Sequence, residues 1–213
     1  MRPAISKFIR LSLLAVFVAC GPSVAGAAEP PKKATTETAA PAQAASDSAH
    51  SESSLERDAN GIPVGDDPKG LLANADIERG KQVFQKVGLC MSCHGWDGDG
   101  KGKNTRSEGA AALLRQTSMD AEALISVVRC GIPGTPMPYH DAQAYKNPDL
   151  CYGQTMADFD EAGAPRKGHT FKEADIVNVV AYIEAKLKGY GKTTLADCEE
   201  AWAPGAKFCI GMK

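Results

Sequence analysis

One short string constrains this chain more than any other. Cys90-Met-Ser-Cys-His94 places two thiols three positions apart and an imidazole directly after the second thiol. With seven cysteines and four histidines in 213 residues, about 0.004 such strings are expected by chance. The three side chains are therefore interpreted as one functional unit, around which the rest of the chain has to fold.

The motif is typical of covalent haem attachment. Two thiols at this spacing can add to the two vinyl groups of one haem, while the adjacent imidazole is held under the iron. A redox-active cysteine pair would favour a βαβ context, and structural zinc would need a second ligand pair close in sequence; the sequence indicates neither. A disulfide between these two cysteines is geometrically poor. We therefore predict one haem c bound through Cys90 and Cys93, with His94 as an iron ligand.

The first 27 residues are typical of an export signal. Basic residues precede an apolar run, residues 11–19, that is too short to span a bilayer, and Ala25-Gly-Ala27 offers a small-residue cleavage site. We expect a periplasmic protein. The alternative is a lipoprotein anchored at Cys20, and a membrane is an expected partner only in that case.

Charge restricts the class of partner. The whole chain carries a net charge of −2, and residues 1–27 contain three basic and no acidic residues. Removing them changes the net charge to −5, which argues against nucleic acid and favours a protein partner with a basic docking surface.

The remaining chain divides by composition. Residues 28–55 are rich in Ala, Pro, Ser, Thr and Glu and contain no aromatic residue, so we predict a disordered linker. Residues 56–74 are predicted to form an irregular strap. Residues 75–213 are predicted to form the folded domain, with residues 190–213 as a C-terminal extension.

Three segments of this domain have apolar residues at helical spacing, and no segment shows convincing strand alternation. The sequence therefore predicts an all-α domain with about three main helices. They are a helix from Asn74 or Asp76 to Val87, ended by Gly88; residues 120–129, with Ser118 as N-cap; and a helix opened by the capping box Thr170-Phe-Lys-Glu173 and stopped at Gly189.

The first helix, the motif and the last helix together resemble class I cytochrome c over about residues 75–190, with gaps. In that family a glycine and an aromatic residue of the first helix pack against an aromatic residue of the last. Gly80, Phe84 and Tyr182 match those places. The resemblance implies the cytochrome c fold around one covalent haem.

A thioether sulfur opposite His94 would complete the coordination of the iron. Met137 is the predicted ligand because it lies in Gly131-Ile-Pro-Gly-Thr-Pro-Met-Pro138, a rigid non-helical string that resembles the Met-ligand loop of class I cytochromes. Met156 is the second choice, and His140 is expected near the haem edge or at the surface. The remaining candidates are Met119, Met212 and His169.

The glycine-rich string Asp97-Gly-Asp-Gly-Lys-Gly102 follows the motif. Its oxygens could bind calcium, but only two carboxylates are close in sequence. We expect it to wrap the haem edge as a tight loop instead.

Four further cysteines allow three pairings. Sequence proximity favours Cys130–Cys151, which would straddle Met137 and brace the ligand loop, and Cys198–Cys209, which would staple the extension. The elaborated ligand loop and the extension resemble the cytochrome cL group, which implies a quinoprotein alcohol dehydrogenase as electron donor.

The leading functional hypothesis is a one-electron carrier between a dehydrogenase and a downstream acceptor, not an enzyme. The alternative is a haem enzyme or small-gas sensor with an open or labile sixth iron position. A third possibility is a permanent subunit of a larger oxidoreductase.

Overall fold

The computed structural model describes residues 53–102 and 111–212. The predicted export signal, Cys20 and nearly all of the predicted linker lie outside the described residues. Among the described residues no helix has the length and apolar character needed to cross a membrane.

Five α-helices and two short strands are present in this part of the chain. Helices α3 and α4 bury apolar stripes against each other, and α1 crosses α4. The elements are α1 (Ile77–Gln82), α2 (Met91–His94), α3 (Ala121–Cys130), β1 (Tyr139–Asp141), β2 (Lys167–Phe171), α4 (Glu173–Lys186) and α5 (Leu195–Trp202).

Helix α1 continues as a π-helical turn over Val83–Val87. Asp76 caps the N-terminus by accepting a hydrogen bond from the backbone N–H of Arg79, and the N–H of Gly88 closes the last turn on the carbonyl of Val83 at 2.7 Å. The wider turn accompanies three consecutive buried residues, Val83 to Gln85. The helix thus spans the predicted residues, although its π-helical end was not predicted.

The contact between α1 and α4 matches the one that the resemblance implied. A Cβ atom at position 80 would overlap the carbonyl of Asn178, so only glycine permits this approach. One turn later the rings of Phe84 and Tyr182 lie 5.5 Å apart. Phe84 and Tyr182 belong to the main hydrophobic core.

The prediction of an all-α domain was wrong in one respect. Strands β1 and β2 form a two-stranded parallel sheet, with Tyr139 opposite Lys167 and Asp141 opposite Phe171. Three- and five-residue strands are too short for alternation to stand out in the sequence. The sheet places β2 directly before α4.

Two predicted helix caps were also wrong. Thr170 belongs to β2, and α4 begins at Glu173 without a side-chain cap, so the predicted capping box is absent. Helix α3 is capped by Asp120 rather than by Ser118, since the Asp120 carboxylate accepts from the N–H of Ala123 at 2.9 Å.

Residues 53–75 contain no regular helix or strand. The first part of this segment contacts the C-terminal end of α4, whereas Asp66 and Lys69 contact the start of α3. The Arg57 guanidinium donates to the carbonyl of Glu184 at 2.7 Å and to that of Lys188, and it lies 4.5 Å from the centre of the Tyr190 ring. It thereby satisfies carbonyls that a helix end leaves without intrahelical partners.

Both predicted disulfides are present. Cys130–Cys151 joins the end of α3 to the insert that follows the ligand loop, and Cys198–Cys209 closes the C-terminal extension. In that extension the rings of Trp202 and Phe208 stack 4.4 Å apart.

Candidate cofactor-binding site

The Cys-x-x-Cys-His motif forms a single helical turn. Leu89, which lies between the π-helical turn and α2, adopts a φ of +55°. Such a conformation is uncommon for a residue other than glycine and is enriched at functional sites. It presents Cys90 and Cys93, neither of which forms a disulfide, on one short turn together with His94.

The environment of Cys90 disfavours a thiolate. Burial raises the pKa of this thiol to about 12. Redox-active and zinc-binding cysteines need a lowered pKa or a deprotonated sulfur. Burial thus favours the neutral form of the Cys90 sulfur.

His94 is prepared to bind a metal through one nitrogen. Its Nδ1 lies 3.0 Å from the carbonyl oxygen of Ala112. A carbonyl can only accept, so Nδ1 carries the proton and Nε2 keeps its lone pair. Burial lowers the pKa of His94, although the hydrogen bond to Ala112 opposes this shift. A neutral, oriented imidazole of this kind is the usual metal-binding form.

The chain after the motif folds back over it. The N–H of Gly100 donates to the carbonyl of His94 at 2.8 Å, and the N–H of Gly102 donates to that of Cys93 at 2.9 Å. A Cβ atom at position 102 would overlap the backbone of Ser92, so the close approach requires glycine. The string predicted to be a tight loop thus forms one against the motif.

The two carboxylates of this loop have partners in the protein. Asp97 accepts from the hydroxyl of Thr193 at 2.5 Å, and Asp99 pairs with Lys101 at 3.4 Å. Within the described ranges, no three His, Cys, Asp or Glu side chains group so as to hold a separate metal ion.

Met137 lies half-buried in a closed loop between α3 and β1. The loop is closed by a hydrogen bond from the N–H of Ile132 to the carbonyl of Met137 at 3.2 Å. The N–H of Met137 in turn donates to the hydroxyl of Thr135 at 3.2 Å. A Cβ at Gly131 would lie 2.7 Å from the Met137 carbonyl, so the two ends of the loop touch.

The other candidate ligands differ in setting. Met119 and Met156 are each 41% exposed, and the structure shows Met212 in the C-terminal extension. His140 is buried, which excludes the surface position considered for it; its Nδ1 lies 2.7 Å from the carbonyl of His169.

Phe171 connects the motif to the end of the ligand loop. Its ring stacks on His140 with centroids 4.2 Å apart. A Cβ atom at Gly88 would lie 2.5 Å from its Cζ atom and 3.1 Å from the sulfur of Cys90. The strand β2 therefore inserts one aromatic ring between these two parts of the site.

Two tyrosines near the ligand loop were missed as functional candidates in the sequence. The Tyr145 hydroxyl donates to the carbonyl of Cys130 at 2.7 Å, and the Tyr152 hydroxyl donates to that of Gly131 at 2.9 Å. In sequence both are aromatic residues of an irregular insert. Both lie near Cys151 in sequence. Because Cys151 was the predicted partner of Cys130, this was the one indication that they could lie near the ligand loop.

Taken together, a helical domain and a Cys-x-x-Cys-His turn with a metal-competent histidine define a c-type cytochrome. A family model described as cytochrome c matches residues 77–186, more than half of the chain, and the chain therefore belongs to the cytochrome c family. Membership implies covalently bound haem c and haem-based electron transfer. No match was found among curated proteins or among solved structures.

Proposed function

We propose that this protein is a one-electron carrier with a single haem c, attached through Cys90 and Cys93 and coordinated by His94 and Met137. The observation that carries the proposal is the geometry of His94. Its Nδ1–H donates a hydrogen bond to the Ala112 carbonyl, so Nε2 is unprotonated and can bind a metal through its lone pair. The two neighbouring cysteines of the motif form no disulfide.

The residues of the site fit this cofactor. When bound, haem c supplies reversible one-electron exchange between Fe(II) and Fe(III). His94 offers an imidazole nitrogen and Met137 a neutral thioether, a ligand pair that raises the potential relative to two nitrogens. Cys90 and Met91 of the motif pack against the apolar core formed by α1, α3 and α4. The glycine loop after the motif donates hydrogen bonds to the backbone carbonyls of His94 and Cys93.

Met137 is preferred over the other methionines because of its loop. Closure at Gly131 and the Thr135 hydroxyl hold its backbone in place, so little ordering is required when its sulfur binds. Met156 instead lies in a 3₁₀ turn of the insert, with 41% of its surface exposed.

Absorption spectroscopy of the purified holoprotein tests this ligand set. The oxidised wild type should show a sulfur-to-iron charge-transfer band, which Met137→Ala should abolish and the control Met156→Ala should retain. Persistence of the band in Met137→Ala would refute the assignment. Rapid carbon monoxide binding by the reduced wild type would instead favour the enzyme or gas-sensor alternative.

We further propose that residues 1–27 direct export to the periplasm and that a dehydrogenase is the electron donor, with a quinoprotein alcohol dehydrogenase as the first candidate to test. The sequence of residues 1–27 supports the export proposal. The insert and the C-terminal extension, each held by a disulfide, support the donor proposal. Fractionation of cells expressing the full chain and its Cys20→Ser variant would distinguish a soluble protein from a lipoprotein. Reduction of the oxidised protein by a purified dehydrogenase, with its substrate, tests the donor.

A further inference from the structure

Two tyrosines of the insert bond to consecutive carbonyls at the point where the ligand loop begins. Tyr145 donates to the carbonyl of Cys130, the last residue of α3, and Tyr152 donates to the carbonyl of Gly131. The last carbonyls of a helix have no intrahelical partner, so these hydroxyls satisfy groups at the helix end. Both bonds come from outside the helix and outside the loop.

Gly131 is also where the loop closes on itself. It has a φ of +64°, and a Cβ atom there would lie 2.6 Å from the carbonyl carbon of Pro138. A shift of its peptide group would therefore be transmitted to Met137, whose carbonyl lies 2.7 Å from the same point. The orientation of the Gly131 carbonyl, fixed by Tyr152, is coupled to the position of the ligand.

The backbone at both tyrosines is strained. Tyr145 has a φ of +59° and Tyr152 a φ of +58°, in a region that bulky residues rarely adopt. Such conformations are unfavourable and persist where the surroundings enforce them, often at functional sites. Here the strained residues are the two whose hydroxyls reach the start of the loop.

Tyr145 is tightly packed, and both phenols stay protonated. The Tyr145 ring is 2% exposed and packs edge-on against Tyr139 and Phe159, with centroids 5.6 and 5.5 Å away. Burial raises the pKa of Tyr145 to about 12 and also raises the pKa of Tyr152. Both therefore remain hydrogen-bond donors throughout the neutral range.

We propose that Tyr145 and Tyr152 are positioning residues for the sixth iron ligand, holding the start of the 131–138 loop so that the Met137 sulfur stays on the iron. The proposal rests on the assignment of Met137 as ligand. It adds a role to the insert: the insert sets how readily the thioether leaves, in addition to stapling the chain.

The test measures imidazole binding to the oxidised full-length holoprotein, because imidazole can bind only after the thioether has left. Loss of the hydrogen bond to the loop should raise the binding rate about fivefold in Tyr152→Phe and in Tyr145→Phe. The charge-transfer band should weaken in parallel. Tyr152→Phe is the safer variant for folding, since this side chain is half-exposed.

Tyr139→Phe is the matched control. Tyr139 belongs to the same ring cluster, but no described residue accepts a hydrogen bond from its hydroxyl. Its binding rate should stay within about twofold of wild type. Unchanged rates in both Tyr152→Phe and Tyr145→Phe, or an equal increase in Tyr139→Phe, would overturn the proposal.

Met137→Ala separates this proposal from the one on which it rests. Loss of the band in Met137→Ala together with wild-type rates in the tyrosine variants would reject the positioning role alone. Retention of the band in Met137→Ala would reject the ligand assignment and with it the role of the tyrosines.

Discussion

At the scale of single residues, Gly80 decides how closely the first and last helices of the domain can meet. Its missing side chain lets the backbone of α1 rest on the carbonyl of Asn178, directly beside the Phe84–Tyr182 pair. Glycine at position 80 has a lower helix propensity than alanine would have, but it allows the two helices to pack closely. The glycine in α1 is therefore explained by the contact with α4.

Gly80→Ala should lower the free energy of unfolding of the holoprotein by about 1–3 kcal/mol, because an added Cβ has to push two backbones apart. Urea denaturation followed by far-UV circular dichroism measures the change. Gly163→Ala is the control, since the nearest atom there is a carboxylate oxygen of Asp160, 3.0 Å away on a surface loop. Equal stability of Gly80→Ala and wild type would contradict this account of the helix contact.

A second residue-scale feature is the buried carboxyl of Glu184. Its side chain is fully buried, with the ammonium of Lys188 at 3.3 Å; that ammonium also pairs with Asp66 at 2.6 Å. Burial raises the pKa of Glu184 from 4.5 to about 7, and Asp66 adds to the shift, while Lys188 opposes it. The folded protein therefore holds this proton at pH values where the unfolded chain has released it.

The sign of the resulting pH dependence follows from linkage. Between pH 4.5 and about 7 the folded state binds more protons than the unfolded state, so the contribution of this group to stability falls as pH rises. The total change is roughly 3 kcal/mol. Glu184→Gln should flatten the pH dependence of the free energy of unfolding over this interval, whereas the exposed Glu161→Gln should not. An unchanged profile in Glu184→Gln would contradict the prediction.

At the scale of elements, the three main helices could be predicted because each buries an apolar stripe at helical spacing, as Leu124, Ile125 and Val128 do in α3. What could not be predicted depends on contacts distant in sequence. Strand β2 exists because residues near Tyr139 pair with it, and its Thr170 consequently cannot cap α4. A capping pattern in sequence carries no information about such competition.

The site also divides into residues that the local sequence predicts and contacts that depend on residues distant in sequence. Cys90, Cys93 and His94 could be recognised because they are contiguous. The hydrogen bond from His94 to Ala112 joins residues 18 positions apart, and those from the tyrosines to the loop join residues 15 and 21 positions apart. Nothing in the local sequence distinguishes a tyrosine that donates to such a carbonyl from one that only fills the core.

The two disulfides should have different consequences when removed. Replacing either cysteine pair by serines should cost about 2–4 kcal/mol in the free energy of unfolding. Only loss of Cys130–Cys151 should also weaken the sulfur-to-iron band, because Cys130 bears one of the carbonyls at the start of the ligand loop. The Cys198–Cys209 variant is the matched control, and an equal loss of band intensity in both would contradict a specific role for the first disulfide.

At the scale of the whole domain, an apolar core built from α1, α3 and α4 carries the motif on one short turn, and a separate aromatic cluster carries the ligand loop. Phe171 and the disulfide at Cys130 connect these two parts. The chain thus combines the compact helical frame of its family with an insert that supports the proposed sixth ligand. The proposed His94–Met137 pair would fill both axial positions of the iron, and this is why we propose electron exchange as the function.

The most direct test of this claim is a potentiometric titration of the full-length holoprotein followed by absorbance. We predict a single one-electron transition for the wild type, and a lower midpoint potential in Met137→Ala, because a thioether ligand raises the potential of the iron. Two or more transitions in the wild type, or an unchanged midpoint in Met137→Ala, would contradict a single haem coordinated by His94 and Met137.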